Sequence, residues 1–579
     1  MKIRGRNNML LLLFTSLFAG LEVNALSYDY TASIECLPNP PKPQYGGGII
    51  INPELNDGLK GWSTFGNAKV QHRESEGNRF IVAHSRNRPS DSISQKIYLQ
   101  MAKLYTFSTW IQVSHASDIP VTAIFKTRSG FVHAGAVVAE FNCWSMLKGG
   151  LTVNASGTAE LYFESKDTSV EIWADSISLQ PFTEKEWSSH QDQSIEKNRK
   201  SNVRVQAVDA HGNPLPNVTI SINQKAPSFP FGCAMNNNIL TNNAYQNWFA
   251  SRFRVTTFEN EMKWYSNEPS QGHEDYSVSD AMIQFAKQHN IAVRGHNVFW
   301  EDPHFVPGWV NSLTKEQLST AAAKRLFSVM NKYRGQVIAW DVVNENLHFD
   351  YFETKLGSKA SAIFYNWATK ADGATTLFMN EFNTIEESRD GASTPAKYLQ
   401  KLKEIQSFAG NENARMAIGL ESHFSSSTPN LPYIRSSIDT LAAAKVPIWI
   451  TELDVSSCPD QASHLEQILR EVHSHPQIQG IIIWSPWQPQ GCYRMCLTDN
   501  NFKNLPTGDV VDKLLHEWGF RSSPSATTDT NGFFEASLFH GDYEVRIANP
   551  SVTNSSLGHR LNVAKTSASQ QPLLLQLSA

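Results

Sequence analysis

Two glutamates carry the strongest chemical signal in the chain. Glu345 closes the run Trp340-Asp-Val-Val-Asn-Glu345, and Glu452 closes Ile450-Thr-Glu452, 107 residues further on. Each follows an apolar stretch of the kind that forms a strand buried on both faces, so each stands where a strand ends. Comparable ends carry Glu259-Asn260-Glu261 with Lys263, Gly295-His296, Asn344, Asn380-Glu381, Glu421-Ser-His423, Asp454 and Trp484. Acidic groups dominate and a full metal-ligand set is missing, so no metal and no cofactor are expected. Such a set suits acetal cleavage, in which a carboxylic acid protonates the leaving oxygen and a carboxylate attacks or stabilises an oxocarbenium-like carbon. One glutamate alone more often ends in a surface ion pair. Two behind equivalent apolar runs favour catalysis.

Groups so far apart in sequence need a scaffold that gathers strand ends. The strand candidates are 229–235, 252–258, 291–299, 337–344, 374–380, 414–421, 446–452 and 478–485. Amphipathic segments lie between them. Val278, Ala281, Met282, Phe285 and Ala286 recur at helical spacing, as do Leu318, Ala322, Leu326, Val329 and Met330 behind a Thr314-x-x-Gln317 capping box. Thr394-Pro395 reads as an N-cap followed by Pro at the first helical position. Eight strand–helix repeats over 225–522 predict a (β/α)8 barrel, whose strand ends converge on one face. The competing doubly wound open sheet lacks a Gly-rich phosphate turn.

The flanks read as β structure. Residues 46–182 alternate short β-branched and aromatic segments with turns, which predicts an all-β sandwich behind a Pro-rich lead-in at 26–45. Residues 201–224 and 525–578 each alternate apolar and polar residues, and neither holds enough strands to bury a face alone. They are therefore expected to close into one small split β-sandwich with the barrel inserted between them, two independent hairpins being the alternative. Polar stretches near 195–200 and 522–528 mark the boundaries.

The chain is 579 residues with 18% charged and 41% hydrophobic residues, and a net charge of −5. Lys plus Arg number 50 against 55 Asp plus Glu, with no basic block beyond the first residues, which argues against nucleic acid. Lys2, Arg4 and Arg6, the apolar run Met9 to Leu21 and Val23-Asn24-Ala25 form a signal peptide over 1–25. The mature chain is expected to be secreted, extracellular or in the cell wall, free of membrane, and monomeric. Sequons at Asn154, Asn217 and Asn554 fit secretory transit. Six cysteines in such a chain imply disulfides, with fifteen possible pairings; bridges near the loops of the catalytic domain are expected, and no structural zinc.

The barrel resembles glycoside hydrolase family 10, the retaining endo-β-1,4-xylanases, through Phe258-Glu-Asn-Glu-Met-Lys-Trp264, Arg294-Gly-His-Asn297, Trp340–Glu345, Gly419–His423, Thr451-Glu-Leu-Asp454 and Trp484. The resemblance implies hydrolysis of xylan and xylo-oligosaccharides, with Glu345 as acid/base and Glu452 as nucleophile. It implies that Asn344 holds the sugar 2-hydroxyl, that His423 bonds the nucleophile and is held by Asp454, and that Glu259, Asn260, Lys263, Trp300 and Trp484 line sugar subsites. A retaining pair would sit about 5–5.5 Å apart, with the first glutamate protonated and the second ionised. Trp300-Glu-Asp-Pro303 and Thr498-Asp-Asn-Asn-Phe502 resemble plant members. Glu301 and Glu421 replace the His and Gln of many microbial members, which would put extra carboxylates near the donor sugar. The family's second Trp platform beyond strand 8 is not evident.

Residues 46–182 resemble family 22 carbohydrate-binding modules through Asn52-Pro-Glu-Leu55, Gly61-Trp62 and Ala174-Asp-Ser-Ile-Ser178. Arg86, Tyr162 and Glu164 fall at ligand positions of that family, while Trp62, Trp110 and Trp173 are expected in the core. The split unit resembles carboxypeptidase-regulatory-like modules through Gly212-Asn-Pro-Leu215, Thr528-Asp-Thr-Asn-Gly-Phe533 and Gly541-Asp-Tyr543. Two rivals share these residues: a xylan endotransglycosylase on the same scaffold and a non-catalytic xylan-binding wall protein.

Overall fold

The computed structural model describes residues 26–520, 524–548, 558–565 and 573–576. The signal peptide and Asn554 lie outside the described residues. No helix among those described is long and apolar enough to cross a membrane.

The expected barrel is present. Its strands are Phe231–Met235, Val255–Phe258, Ala292–Trp300, Ala339–Asn344, Thr376–Glu381, Met416–Leu420, Ile448–Val455 and Ile478–Ile483. All neighbours pair in parallel, and the first closes onto the eighth with Phe231 opposite Ile481. Their near-continuous burial explains the absence of alternation in the sequence, since one face meets the barrel interior and the other the helices. Thr314 and Gln317 form the expected capping box on Lys315–Lys332, and the Thr394 side chain accepts from the Lys397 amide. Helix Ser277–Gln288 departs from its predicted face: Val278 and Ala281 are exposed, and Ser279 and Ile283 are buried beside Met282, Phe285 and Ala286. Ser279 belongs to that inner face because its hydroxyl donates to the Glu261 carbonyl at 2.5 Å.

The N-terminal unit packs two five-stranded antiparallel sheets face to face. Phe107, Ile111, Val121, Phe125, Leu161 and Ile172 fill the space between them. Trp62 and Trp110 are buried, and Trp173 packs on a satellite cluster with Phe80 and Trp144. The sandwich docks on the barrel through a buried ion pair, Lys148 Nζ to Asp439 Oδ2 at 2.8 Å. Asp439 also accepts from Tyr28 of the lead-in at 2.6 Å and faces His475 at 2.9 Å, so three partners offset the desolvation of one carboxylate.

The polar stretch near 195–200 is a helix end rather than a loop. Glu184–Arg199 is helical behind a Thr183/Glu186 capping box, and strand Lys200–Val208 follows at once. The polar composition is the helix's exposed side; its other side buries Trp187, whose indole donates to Glu471 at 2.7 Å. Strand Lys200–Val208 pairs antiparallel with Phe533–Phe539, and Thr219–Pro227 pairs with Gly541–Ala548. Val205, Ile220, Ile222, Phe534, Leu538 and Val545 form one apolar core between these sheets, so segments from both sides of the barrel are needed to enclose it.

The disulfides depart in part from expectation. Cys492–Cys496 lies in a catalytic-face loop, but Cys36–Cys143 ties the lead-in to the sandwich, and Cys233 and Cys458 are free. The prolines around Pro38 prevent that lead-in from joining a sheet, and Leu37 makes only an isolated bridge to Trp144.

Candidate active site

Glu345 follows the fourth barrel strand with φ 60°, an uncommon left-handed conformation for a residue with a side chain. It is buried, and its Oε2 accepts from the Trp300 indole at 2.7 Å. Trp300 ends the third strand and stacks on Phe305 with ring centroids 3.9 Å apart. Burial, reinforced by Glu381 and Glu452, pushes the Glu345 carboxyl up to about 8 against the Trp300 hydrogen bond.

Glu452, on the seventh strand, has a different environment. Its Oε1 accepts from Asn380 Nδ2 at 2.8 Å and lies 3.7 Å from His296 Nε2; its Oε2 lies 3.6 Å from His423 Nε2. Burial acts to raise its carboxyl, but His296, His423 and Lys263 outweigh burial and hold it down at about 2. Both imidazoles are oriented from behind. His423 Nδ1 meets Asp454 Oδ1 at 3.0 Å, and His296 Nδ1 meets Asp341 Oδ2 at 2.9 Å, with Arg294 on the other Asp341 oxygen at 2.7 Å. Burial would lower the His423 ring, yet Asp454 and Glu452 prevail and lift it to about 10, keeping it an imidazolium.

Glu421 completes a cluster of buried carboxyls. Its Oε1 is 3.1 Å from Asn380 Nδ2 and its Oε2 3.5 Å from His423 Nε2. Burial, then the charges of Glu452 and Glu345, push it far above the usual carboxylate range. Asn380 Nδ2 reaches Asn344 Oδ1 at 2.9 Å as well, so three acceptors share two N–H protons. Thr451 fixes the amide's orientation by donating to Asn380 Oδ1 at 2.6 Å. Among the described residues, Glu421, His423 and Glu452 are the only group of three or more whose ligand-type atoms all lie within 4.8 Å of one another. A protonated imidazole offers no lone pair, so this group is a poor metal site.

The remaining barrel residues gather around this pair. Glu259 accepts from Asn236 at 3.3 Å and from Gln488, and burial followed by Glu261 lifts it to about 7. Lys263 donates to Asn260 Oδ1 at 3.3 Å, and its ammonium lies 4.3 Å from the Trp300 ring centre and 5.8 Å from that of Trp484. Burial lowers the Lys263 ammonium, against Glu452, Glu345 and other carboxylates that favour its charge. Glu259, Asn260, Glu261 and Gln488 line a cleft of 320 Å³. Trp484 is half-buried and meets His296 edge-on at 5.6 Å.

Two expectations need correction. Glu301 is not near a donor sugar: it is fully buried, and its Oε2 accepts the Phe352 amide of helix Tyr351–Leu356 at 2.8 Å. Arg86 is not a free ligand residue, because its five N–H groups go to the carbonyls of Pro89, Asp91, Ser165, Asp167 and Val170 at 2.6–3.0 Å. Tyr162 stacks on Phe65 at 3.9 Å and its hydroxyl lies 3.5 Å from Glu164, so these two do meet on one sheet. Asn154 and Asn217 are exposed.

The sequence marked Asn380 and His296 only as polar strand ends and assigned no role to Asp341, Thr451 or Arg494. The first four sit on strand tips or inside strands next to singled-out residues, which was an available signal. Arg494 Nε donates to Asp454 Oδ1 at 2.7 Å from an irregular loop that no periodicity marks. In the same loop Tyr493 is 98% exposed, an aromatic surface just beyond the eighth strand. Trp487, by contrast, is buried and donates to Asn500 at 2.8 Å.

The family model for glycosyl hydrolase family 10 matches residues 221–506, and one for a carbohydrate binding domain matches residues 47–170. The chain is 39% identical to endo-1,4-beta-xylanase 5 of Arabidopsis thaliana, over 99% of this chain and 98% of that protein. It is 38% identical to endo-1,4-beta-xylanase 4 of the same plant, over 97% of this chain and 96% of the relative.

Proposed function

The chain belongs to glycosyl hydrolase family 10, and from that premise we propose that it is a secreted endo-1,4-β-xylanase that hydrolyses internal xylosidic bonds of xylan with retention. The observation that carries this reading is the contrast between two buried glutamates on the fourth and seventh strands of one barrel: Glu345 accepts from the Trp300 indole, whereas Glu452 lies against His296, His423 and the Asn380 amide.

In the first step Glu452 attacks the anomeric carbon while Glu345 gives its proton to the departing glycosidic oxygen, leaving a covalent xylosyl ester on Glu452 and a carboxylate at Glu345. Ester formation removes the Glu452 charge, which lowers the proton affinity of Glu345. Glu345 then takes a proton from water as that water attacks the anomeric carbon, and Glu452 leaves as a carboxylate. In this mechanism the Asn344 amide, whose oxygen accepts from Asn380 Nδ2, bonds the sugar 2-hydroxyl. Glu259, Asn260 and Lys263 supply polar contacts for the non-reducing side, and Trp300 and Trp484 supply ring faces for C–H packing. Part-exposed Phe65 and Glu164, backed by the buried Tyr162, are the module's carbohydrate-binding candidates. Two disulfides support passage through an oxidising compartment.

The test is chemical rescue on the full chain. Glu452→Ala should abolish turnover of glucuronoxylan while leaving polymer binding near wild type, and added azide or formate should restore cleavage with a product of the opposite anomer. Glu345→Ala should impair substrates with poor leaving groups far more than activated aryl glycosides. Wild-type turnover by the Glu452 variant, or equal losses on both substrate classes for the Glu345 variant, would overturn the assignment. Product analysis with and without acceptor oligosaccharides separates hydrolysis from transfer to another chain.

A further inference from the structure

We infer that Arg494 is a positioning residue for the nucleophile, presented to it by the ring that the Cys492–Cys496 disulfide closes; the inference rests on Glu452 being that nucleophile. Arg494 is the middle residue of Cys492-Tyr-Arg-Met-Cys496. Its Nε donates to Asp454 Oδ1 at 2.7 Å and its Nη2 to the Phe424 carbonyl at 2.5 Å. The same Asp454 oxygen meets His423 Nδ1 at 3.0 Å, and the far nitrogen of that ring lies 3.6 Å from Glu452 Oε2. Phe424 follows His423 in the chain. The guanidinium therefore grips both the carboxylate that orients the imidazole and the backbone that carries it.

The loop is built to hold that side chain still. The Arg494 carbonyl accepts from Gln461 Nε2 at 3.1 Å, and the same amide holds the Val455 carbonyl at 2.8 Å, on the strand that bears Glu452. Thr507 anchors the Cys496 carbonyl at 2.5 Å. Tyr493 projects fully into solvent, whereas Met495, on the other side of Arg494, seats the ring in the barrel's apolar core at 2% exposure. Gln488-Pro-Gln-Gly491 precedes it, a stretch with little to order it by packing. A covalent ring and the anchored carbonyls of Arg494 and Cys496 lower the conformational freedom that would otherwise be lost each time Arg494 reached Asp454.

A part-exposed ion pair adds little to stability by itself, and Arg494 keeps 26% of its side-chain surface in water. Its consequence lies instead in the chain Arg494, Asp454, His423, Glu452. Without Arg494, Asp454 can turn away, the imidazolium loses its orientation, and Glu452 loses part of the positive field that keeps it ionised.

The experiment uses the full-length protein with an aryl β-xylobioside, reading kcat, KM and the pH profile of kcat/KM. Arg494→Met should lower kcat by about 100-fold, the cost of an angstrom-scale misplacement, with little change in KM. Its acidic limb should move to higher pH. Arg494→Lys should bring the limb back toward wild type, since it keeps the charge. The double variant Cys492→Ser/Cys496→Ser should move kcat and the limb in the same direction by less. In an Asp454→Asn background, Arg494→Met should add less than about twofold, because residues acting through one another are not additive. Should Arg494→Met not fold, the Lys and Ser variants carry the same comparison. Unchanged kcat and limb, or losses that multiply across the Asp454 background, would overturn the inference. A wild-type protein without turnover would overturn the nucleophile assignment itself.

Discussion

The Trp300 indole donates its proton to Glu345 Oε2 at 2.7 Å, tying the proposed general acid to an aromatic side chain at the end of the third strand. That bond favours the ionised carboxylate, so it opposes the burial that lifts the group to about 8. The ionised form is the one needed in the second step, when Glu345 must accept a proton from water. Trp300→Phe keeps the ring and removes the donor. Its alkaline limb of kcat/KM should move to higher pH, because protonated Glu345 persists further. Release of the covalent intermediate should slow by about tenfold, in keeping with roughly 1.5–3 kcal/mol for a hydrogen bond to a charged group. Pre-steady-state bursts with an activated aryl glycoside measure that step; an unchanged burst and limb would show that the indole serves packing alone.

Glu421 raises a separate question, since it places a third carboxyl beside Glu452. Burial and two neighbouring carboxylates drive it far above the usual range, which favours the neutral acid, similar in shape and polarity to an amide. Glu421→Gln should therefore leave kcat/KM near wild type and keep the alkaline limb in place. If Glu421 were instead ionised, the substitution would remove a negative charge next to Glu345, lower the proton affinity of that acid, and pull the limb down. The pH profile of the variant separates the two cases.

The parts legible in the sequence and the parts that were not have physical reasons. All eight barrel strands lie where apolar runs predicted them, because strands buried on both faces are mostly apolar and their few polar residues, such as Arg294 and Asp341, are paired. Strand tips gave the glutamates and His423 for the same reason. Helix Glu184–Arg199 was missed because most of its surface is polar and its anchor is one buried tryptophan, Trp187. Arg494 was missed because a loop has no period, and its meaning comes only from Asp454, 40 residues earlier in the chain. Arg86 was misread because position in a family pattern says nothing of which carbonyls surround a side chain.

Glu301 gives a prediction about stability. Its carboxyl is fully buried and lifted to about 8 by that burial, against the Phe352 amide that favours its charge. The unfolded chain ionises near the ordinary glutamate value, so between about 4.5 and 8 the unfolded state has lost a proton that the native state keeps. Stability is then full below the lower value and falls as pH rises toward the upper one. The loss is on the order of 5 kcal/mol for a shift of this size. Glu301→Gln removes the titration. Its melting temperature should vary less across that window than that of the wild type, and the two should differ most near pH 8. Parallel curves would mean that Glu301 is ionised in the native protein.

Arg86 and Tyr162 separate folding from recognition in the N-terminal sandwich. The five guanidinium donors of Arg86 close a loop by binding five backbone carbonyls, and none is left to meet a sugar. Arg86→Ala strands those acceptors in a buried setting, which should cost roughly 3 kcal/mol or more of sandwich stability. Well below its melting point the variant should still be retained on insoluble xylan. Tyr162→Ala removes a ring stacked on Phe65 and a hydroxyl near Glu164. That variant should lose retention by about 1–2 kcal/mol, roughly tenfold, and, because the ring is only 3% exposed, should also melt lower by an amount comparable to Arg86→Ala. Differential scanning calorimetry and depletion isotherms read the two effects independently. A cold, folded Arg86→Ala protein that no longer binds would place the guanidinium back among the sugar contacts.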